Sequence, residues 1–186
     1  MKDLGVKPLL YPMPVLLIAT YCEDGSVDVM NMAWGGICSE NMVALNISES
    51  HKTAENIKKR GAFTISVADA AHTTQADYFG LASANKTPYK FAKSGLTAVK
   101  SEKVDAPVVT DFPITLECRV VEAANGVGGF RVVGEIVGVL AREDVLTDGG
   151  VSPEKVGAIA YDPFTHGYYG MGERVGQAFS DGKALM

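Results

Sequence analysis

The spacing of apolar positions changes several times along the chain, and each change marks an element. Val15 to Thr20 is a continuous apolar run that stops before Asp24-Gly25, a turn signal. Val27 to Ala33 follows as the return strand of a hairpin, and Met42 to Ile47 forms a third strand. Ser50 to Arg60 then reads as a helix with Ala54 and Ile57 on its inner face and Gly61 as its stop. Phe63 to Val67 alternates as a fourth strand.

The middle of the chain is helical. Ala70 to Ala82 is a weakly patterned helix, and Thr87-Pro88 reads as a cap and first turn closed by Gly95. Ile114 to Val120 alternates, with Ile114, Leu116, Cys118 and Val120 on one face and Thr115, Glu117 and Arg119 on the other. Phe130 to Leu140 is a long strand whose Gly134 and Gly138 suggest bulges. Asn125 to Gly129 reads as a hairpin turn between these two strands. Strands, then short helices, then strands lack the regular alternation of a doubly wound sheet. The expected fold is mainly β, an antiparallel β-barrel with peripheral helices, in a single domain spanning 1–186.

Composition narrows the functional classes. A content of 47% hydrophobic and 21% charged residues is that of a globular chain. A net charge of −5 argues against nucleic acid and anionic membranes as partners. No run reaches the ~20 apolar residues of a membrane span, and Met1-Lys2-Asp3 lacks the basic start of a signal peptide. The expectation is a cytoplasmic protein.

The three cysteines, Cys22, Cys38 and Cys118, have no CxxC spacing, and His51, His72 and His166 have no metal-ligand spacing, so no metal is expected. Cys38 is noted for its closeness to Trp34. Neither G-x-G-x-x-G nor a P-loop is complete, and no G-x-S-x-G occurs. The catalytic residues are left unassigned.

Two segments carry candidate chemistry. Ser48 to Ile57 runs from a strand end into a helix start. A helix N-terminus offers unpaired N–H groups and partial positive charge. Ser48, Ser50, His51, Lys52 and Thr53 surround it, and such a set suits a phosphate. Ordinary capping by Ser50 or Thr53 beside a solvated lysine accounts for the same residues. Val29 to Gly36 is the second segment. Its small residues let a flat ligand approach the backbone, and Trp34, the only tryptophan, suits either a ring pocket or a core.

Tyr11 to Thr20, Asn31-Met32-Ala33-Trp34, Ser50 to Ile57, Gly61 to Val67, and Tyr89-Lys90-Phe91 with Ser94-Gly95-Leu96 resemble, in order and spacing, the flavin reductase-like (flavoredoxin) family. The resemblance covers most of the chain. It implies the FMN-binding split barrel of Greek-key type, a homodimer with flavin at the subunit interface. By this resemblance Asn31, Met32, Ala33 and Trp34 contact the isoalloxazine and Ser48 lies beside the ribityl chain. Ser50, His51, Lys52 and Thr53 hold the phosphate, Asn56 supports the turn, and Lys90 approaches the flavin from the helical insert. Many relatives carry Arg or Tyr where this chain has His51 and Lys52.

The implied activity is an FMN-dependent oxidoreductase passing electrons from NAD(P)H to flavin or another acceptor. Its alternative is an FMN-containing electron carrier reduced by a redox protein partner. A third reading is a barrel for another planar ligand such as haem, or for none. The aromatic tail, with Tyr161, Phe164, Tyr168 and Tyr169, is expected to pack against a second subunit.

Overall fold

The computed structural model describes residues 1–186. Its main elements are β1 (Leu16–Tyr21), β2 (Val27–Met32), β3 (Gly35–Ser39), β4 (Met42–Ile47), α1 (Lys52–Arg60), β5 (Ala62–Val67), α2 (Thr73–Leu81), β6 (Ile114–Gly126) and β7 (Gly129–Ala141). One seven-stranded antiparallel sheet holds the strands in the order β2-β1-β5-β6-β7-β4-β3. Its two edges, β2 and β3, are consecutive in the chain and joined only by Ala33-Trp34. The chain thus steps from one edge of the sheet to the other. The rolled sheet does not close by strand pairing, which makes it a split barrel. Next to the step, the Asn46 N–H donates to the Trp34 carbonyl at 2.9 Å.

The sheet is covered on both faces. Inside, Ile18, Leu45, Phe63, Phe130 and Val132 form the barrel core, and α1 plugs one end with Ala54 and Ile57. Outside, Leu17, Val29, Phe79, Val109 and Phe112 form a second core under α2 and the middle segment. Leu17 and Ile18 are neighbours, point to opposite faces, and are both fully buried. This explains why β1 reads as a continuous apolar run rather than an alternating one. Each such side chain contributes about 1.5–3 kcal/mol of burial free energy.

The glycines of β7 sit where the register shifts, between Val133 and Gly134 and between Ile136 and Gly138. A Cβ at Gly134 would lie 2.5 Å from the Phe63 ring, so close packing demands glycine there.

The structure departs from the sequence reading, or adds to it, at three places that bear on the site and its walls. Strand β3 is unannounced, because it is an exposed edge strand with no apolar alternation. Thr87-Pro88 does not start a helix: a short 3-10 turn runs over Lys90–Ser94, preceded by Tyr89 at φ 56° and closed by Gly95. Thr115 and Glu117 lie on the face opposite the barrel core, as the alternation predicts, yet each is only 2% exposed. The Thr115 hydroxyl pairs with Ser66 at 2.8 Å and the Glu117 carboxylate accepts from Ser101 at 2.6 Å. The segment around residues 98–109 covers that face, which no local pattern could announce.

Candidate functional site

The site is built where three chain segments meet at the open side of the barrel. The first is the end of β2 and the step to β3, residues Asn31 to Trp34. The second is the N-terminus of α1. The third is the end of α2 with the loop after it, residues 80–84. One cavity is lined by His51, Lys52 and Thr53 on one side and by Phe79, Gly80 and Ala82 on the other. A neighbouring cavity is lined by Ala33, Trp34, Asp77 and Tyr168. Both are bordered by Asn31, Gly80 and Leu81, so they lie side by side along one stretch of wall, called the groove from here on.

At the α1 end, Lys52 and Thr53 occupy the first helical positions, and their N–H groups have no intrahelical acceptor. His51 holds the cap position with extended backbone, and its side chain makes no cap bond. Ser48 and Ser50 are exposed, with hydroxyls 2.8 Å apart. The Ser50 carbonyl accepts from Asn85 at 2.9 Å, which ties the loop after α2 to this turn. Lys52 is half-buried and pairs with Glu55 at 2.9 Å. The Lys52 hydrogen bond, with a second from Lys59, holds the Glu55 carboxyl below its ordinary range. Glu55 thus retains Lys59, at 3.1 Å, if Lys52 turns toward a ligand.

Thr53, Asn56 and Lys90 point elsewhere than their hydroxyl, amide and ammonium groups suggest. The Thr53 hydroxyl is buried and donates to Asp28 at 2.7 Å, so only its backbone N–H remains for a ligand. Asn56 is fully buried, and its amide donates to Thr20 at 3.0 Å, joining α1 to β1. Lys90 is 3% exposed, donates to the Ala82 carbonyl at 2.8 Å and lies 3.3 Å from Asp28. That approach is an ion pair without an aligned hydrogen bond, since the same Asp28 oxygen has no hydrogen-bond partner. The network under the α1 end is therefore Thr53–Asp28–Lys90–Ala82.

At the other end, Asn31 donates to the Ala76 carbonyl at 2.9 Å, which sets the spacing of β2 and α2. The Met32 side chain belongs to the barrel core, so what it offers the groove is backbone. Ala33 is buried, whereas Trp34 remains 53% exposed. Tyr168, brought in by the pairing of Tyr168–Gly170 with Ile159–Tyr161, donates to Asp77 at 3.0 Å. Burial first, then the Asp77 hydrogen bond, pushes the Tyr168 hydroxyl up to about 12. Part of the tail thus packs on its own subunit. The Asp162 carboxylate fixes it there by accepting from Thr165, Tyr11 and the Phe164 N–H. Those bonds hold its carboxyl well below the usual range.

Three residues of this site escaped the sequence reading. Asp28 had a signal, being an acid inside a largely apolar strand. Asp77 and Gly80 had none, because only the tertiary fold brings them to Asn31, and Tyr168, expected against a second subunit, is found against Asp77 of its own chain.

The site suits a ligand with an anionic end and a flat end. Free helix N–H groups, two exposed hydroxyls and a reorientable lysine stand at one end. An exposed indole and a side chain-free Gly80, whose Cβ position would lie 3.6 Å from Asn31, flank the other.

Comparison with known proteins bears on the family and the fold. Residues 9–159 match the model of the flavin reductase like domain. Flavoredoxin of Desulfovibrio vulgaris (Miyazaki F) is 37% identical, with a TM-score of 0.92 over 98% of this chain and 99% of that one. Flavoredoxin from Methanosarcina acetivorans is 26% identical, with a TM-score of 0.89 over 100% of both chains. An uncharacterised protein of Archaeoglobus fulgidus is 30% identical over 75% of this chain and 78% of its own length. The split barrel, the ordered motifs and this extent of match place the chain in the flavin reductase-like family.

Proposed function

We propose that the groove binds FMN, with the phosphate on the α1 N-terminus and the isoalloxazine along Asn31, Met32, Ala33 and Trp34. The observation that carries this reading is that the two cavities adjoin at Asn31, Gly80 and Leu81, one beside the α1 N-terminus and the other beside Trp34. The N–H groups of Lys52 and Thr53, with Ser50 and His51, hold the phosphate, and Lys52 adds a point charge. Ser48 lies beside the ribityl chain. Lys90 and Asn56 act as struts: Lys90 fixes the loop at Ala82, and Asn56 fixes α1 on β1.

Bound FMN supplies hydride acceptance and single-electron transfer. The protein supplies orientation, and exclusion of water from one side of the ring. The activity that fits is electron transfer from NAD(P)H, through FMN, to flavin or another acceptor. A second reading has its own support in the near full-length similarity to two flavoredoxins: an electron carrier reduced by a protein partner.

The proposal extends to a homodimer. The edge strand β3 exposes Ile37 and Cys38 beside Trp34, and the tail exposes Phe164, Tyr169 and Met171. A second copy covering these residues would close the groove. Light scattering of the flavin-loaded protein tests it; a monomer at full occupancy overturns it.

The function is tested by titrating the protein with FMN and riboflavin and following the flavin spectrum. FMN is expected to bind about 10- to 150-fold tighter, the worth of charge-assisted phosphate bonds. Equal affinities, or none, would refute the phosphate assignment. Anaerobic stopped-flow mixing of the FMN-loaded protein with NADH or NADPH then separates the reductase from the carrier. Rapid bleaching is expected for the reductase and none for the carrier.

A further inference from the structure

The ring end of the groove contains one carboxylate and no lysine or arginine. That carboxylate is Asp77, on α2, one turn before Leu81. It forms no ion pair within 4.0 Å, and its one hydrogen bond is from the Tyr168 hydroxyl, at 3.0 Å. Tyr168 is itself 3.5 Å from the Asn31 amide. Asp77, Tyr168 and Asn31 thus make a short polar chain linking α2, the tail and β2 in the wall of the cavity. The facing groups are Trp34, Tyr161 and His166, whose ring stacks on Tyr161 at 6.4 Å. All the lysines that serve the site lie at the opposite, phosphate end.

Placing the positive groups at one end and an unpaired carboxylate at the other has an electrostatic consequence. Resting on the FMN reading above, we propose that Asp77 sets the reduction potential of the bound flavin, holding it low, and that Tyr168 moderates this effect. Two-electron reduction with uptake of one proton leaves the ring system richer by one negative charge. In a titration with dithionite the electrons come from dithionite, which is oxidised to sulfite, and the proton comes from the buffer. A carboxylate in the cavity wall opposes that added charge, and a partly desolvated site screens it less than water does. The Tyr168 hydroxyl, donating to the carboxylate, draws off part of its field.

The sign of the effect therefore differs between two substitutions. Asp77→Asn keeps the size and a hydrogen-bonding oxygen, removes the charge, and is expected to raise the midpoint potential. Tyr168→Phe keeps the ring in its packing, removes the hydroxyl, leaves the carboxylate without a donor, and is expected to lower it. A merely structural role for the pair moves affinity or melting temperature without opposite shifts of potential. The experiment is a spectroelectrochemical titration of the FMN-loaded wild type, Asp77→Asn and Tyr168→Phe at one pH and ionic strength. It is repeated at high salt, where both shifts should shrink. Opposite shifts support the proposal; an unchanged midpoint in both variants, or shifts of one sign, overturns it. If Asp77→Asn fails to fold, the direction found for Tyr168→Phe alone decides, and an unchanged or raised midpoint counts against the proposal. Failure of the wild type to take up FMN would instead reject the cofactor reading itself.

Discussion

Lys52 and Lys90 line the same cavity, yet their surroundings give them opposite properties. The Lys52 side chain is 24% exposed and rests on Glu55, a partner that also has Lys59. The Lys90 side chain is 4% exposed and is held by the Ala82 carbonyl and by Asp28, whose own side chain is 1% exposed. An exposed ion pair is worth about 0–1 kcal/mol and is easily exchanged for a phosphate. A buried one adds little net stability over an apolar pair, but losing one partner leaves an uncompensated charge. Lys52 is therefore suited to a ligand that comes and goes, and Lys90 to holding the wall against which the ligand sits.

The sharpest way to break this contrast is Lys90→Met. It strands Asp28 in the interior and should cost about 3–5 kcal/mol of stability in denaturant melts of the ligand-free protein. The triple variant Asp28→Leu, Thr53→Val, Lys90→Met should recover most of that loss, since it replaces the whole network by apolar groups. A Lys90→Met protein as stable as wild type would show that the pair is not buried in solution.

Lys52→Ala should do the reverse. The stability of the ligand-free protein should change by less than about 0.5 kcal/mol, because a lysine at a helix N-terminus opposes the dipole. FMN affinity should fall by about 1–3 kcal/mol, roughly 5- to 150-fold, with riboflavin affinity unchanged. Equal weakening of both ligands would remove Lys52 from the phosphate site.

Thr53→Val separates side chain from backbone at one residue. Loss of the hydroxyl leaves an Asp28 oxygen without its donor and should cost about 1–2 kcal/mol of stability. The preference for FMN over riboflavin should survive, because the Thr53 N–H remains. Loss of that preference in titrations would restore the hydroxyl as a phosphate ligand.

The smallest expected effect is that of Glu55→Gln, which frees Lys52 from its resting partner and removes a negative charge near the phosphate. FMN should bind tighter by about 0.2–0.5 kcal/mol at low salt, and the gain should vanish at high salt. Calorimetric titration at the two ionic strengths checks it.

Much of the architecture was written in local pattern. The strand Met42–Ile47 has the bounds that its apolar residues suggest, and the Gly61 stop is found at φ 64°. The bulges at Gly134 and Gly138 follow from glycine inside a strand. The α1 N-terminus was legible because a strand end, two serines and a helix start are contiguous in sequence. Its chemistry was legible only by residue type, so the hydroxyl of Thr53 and the ammonium of Lys90 were given to a ligand. The fold gives them to Asp28 and Ala82.

Hydrophobic period and turn residues decide which segments are strands or helices, because those preferences act over a few residues. The ordered motifs also identified the family and pointed to its flavin. Which polar groups face each other across the barrel depends on contacts between positions far apart in the chain, such as Asp28 with Lys90 or Asp77 with Tyr168. Such pairings exist only once the sheet has rolled and the tail has returned to it. That is why the sequence could point to a candidate site, whereas only the tertiary structure separated its two lysines, one partly exposed on Glu55 and one buried against Asp28 and Ala82.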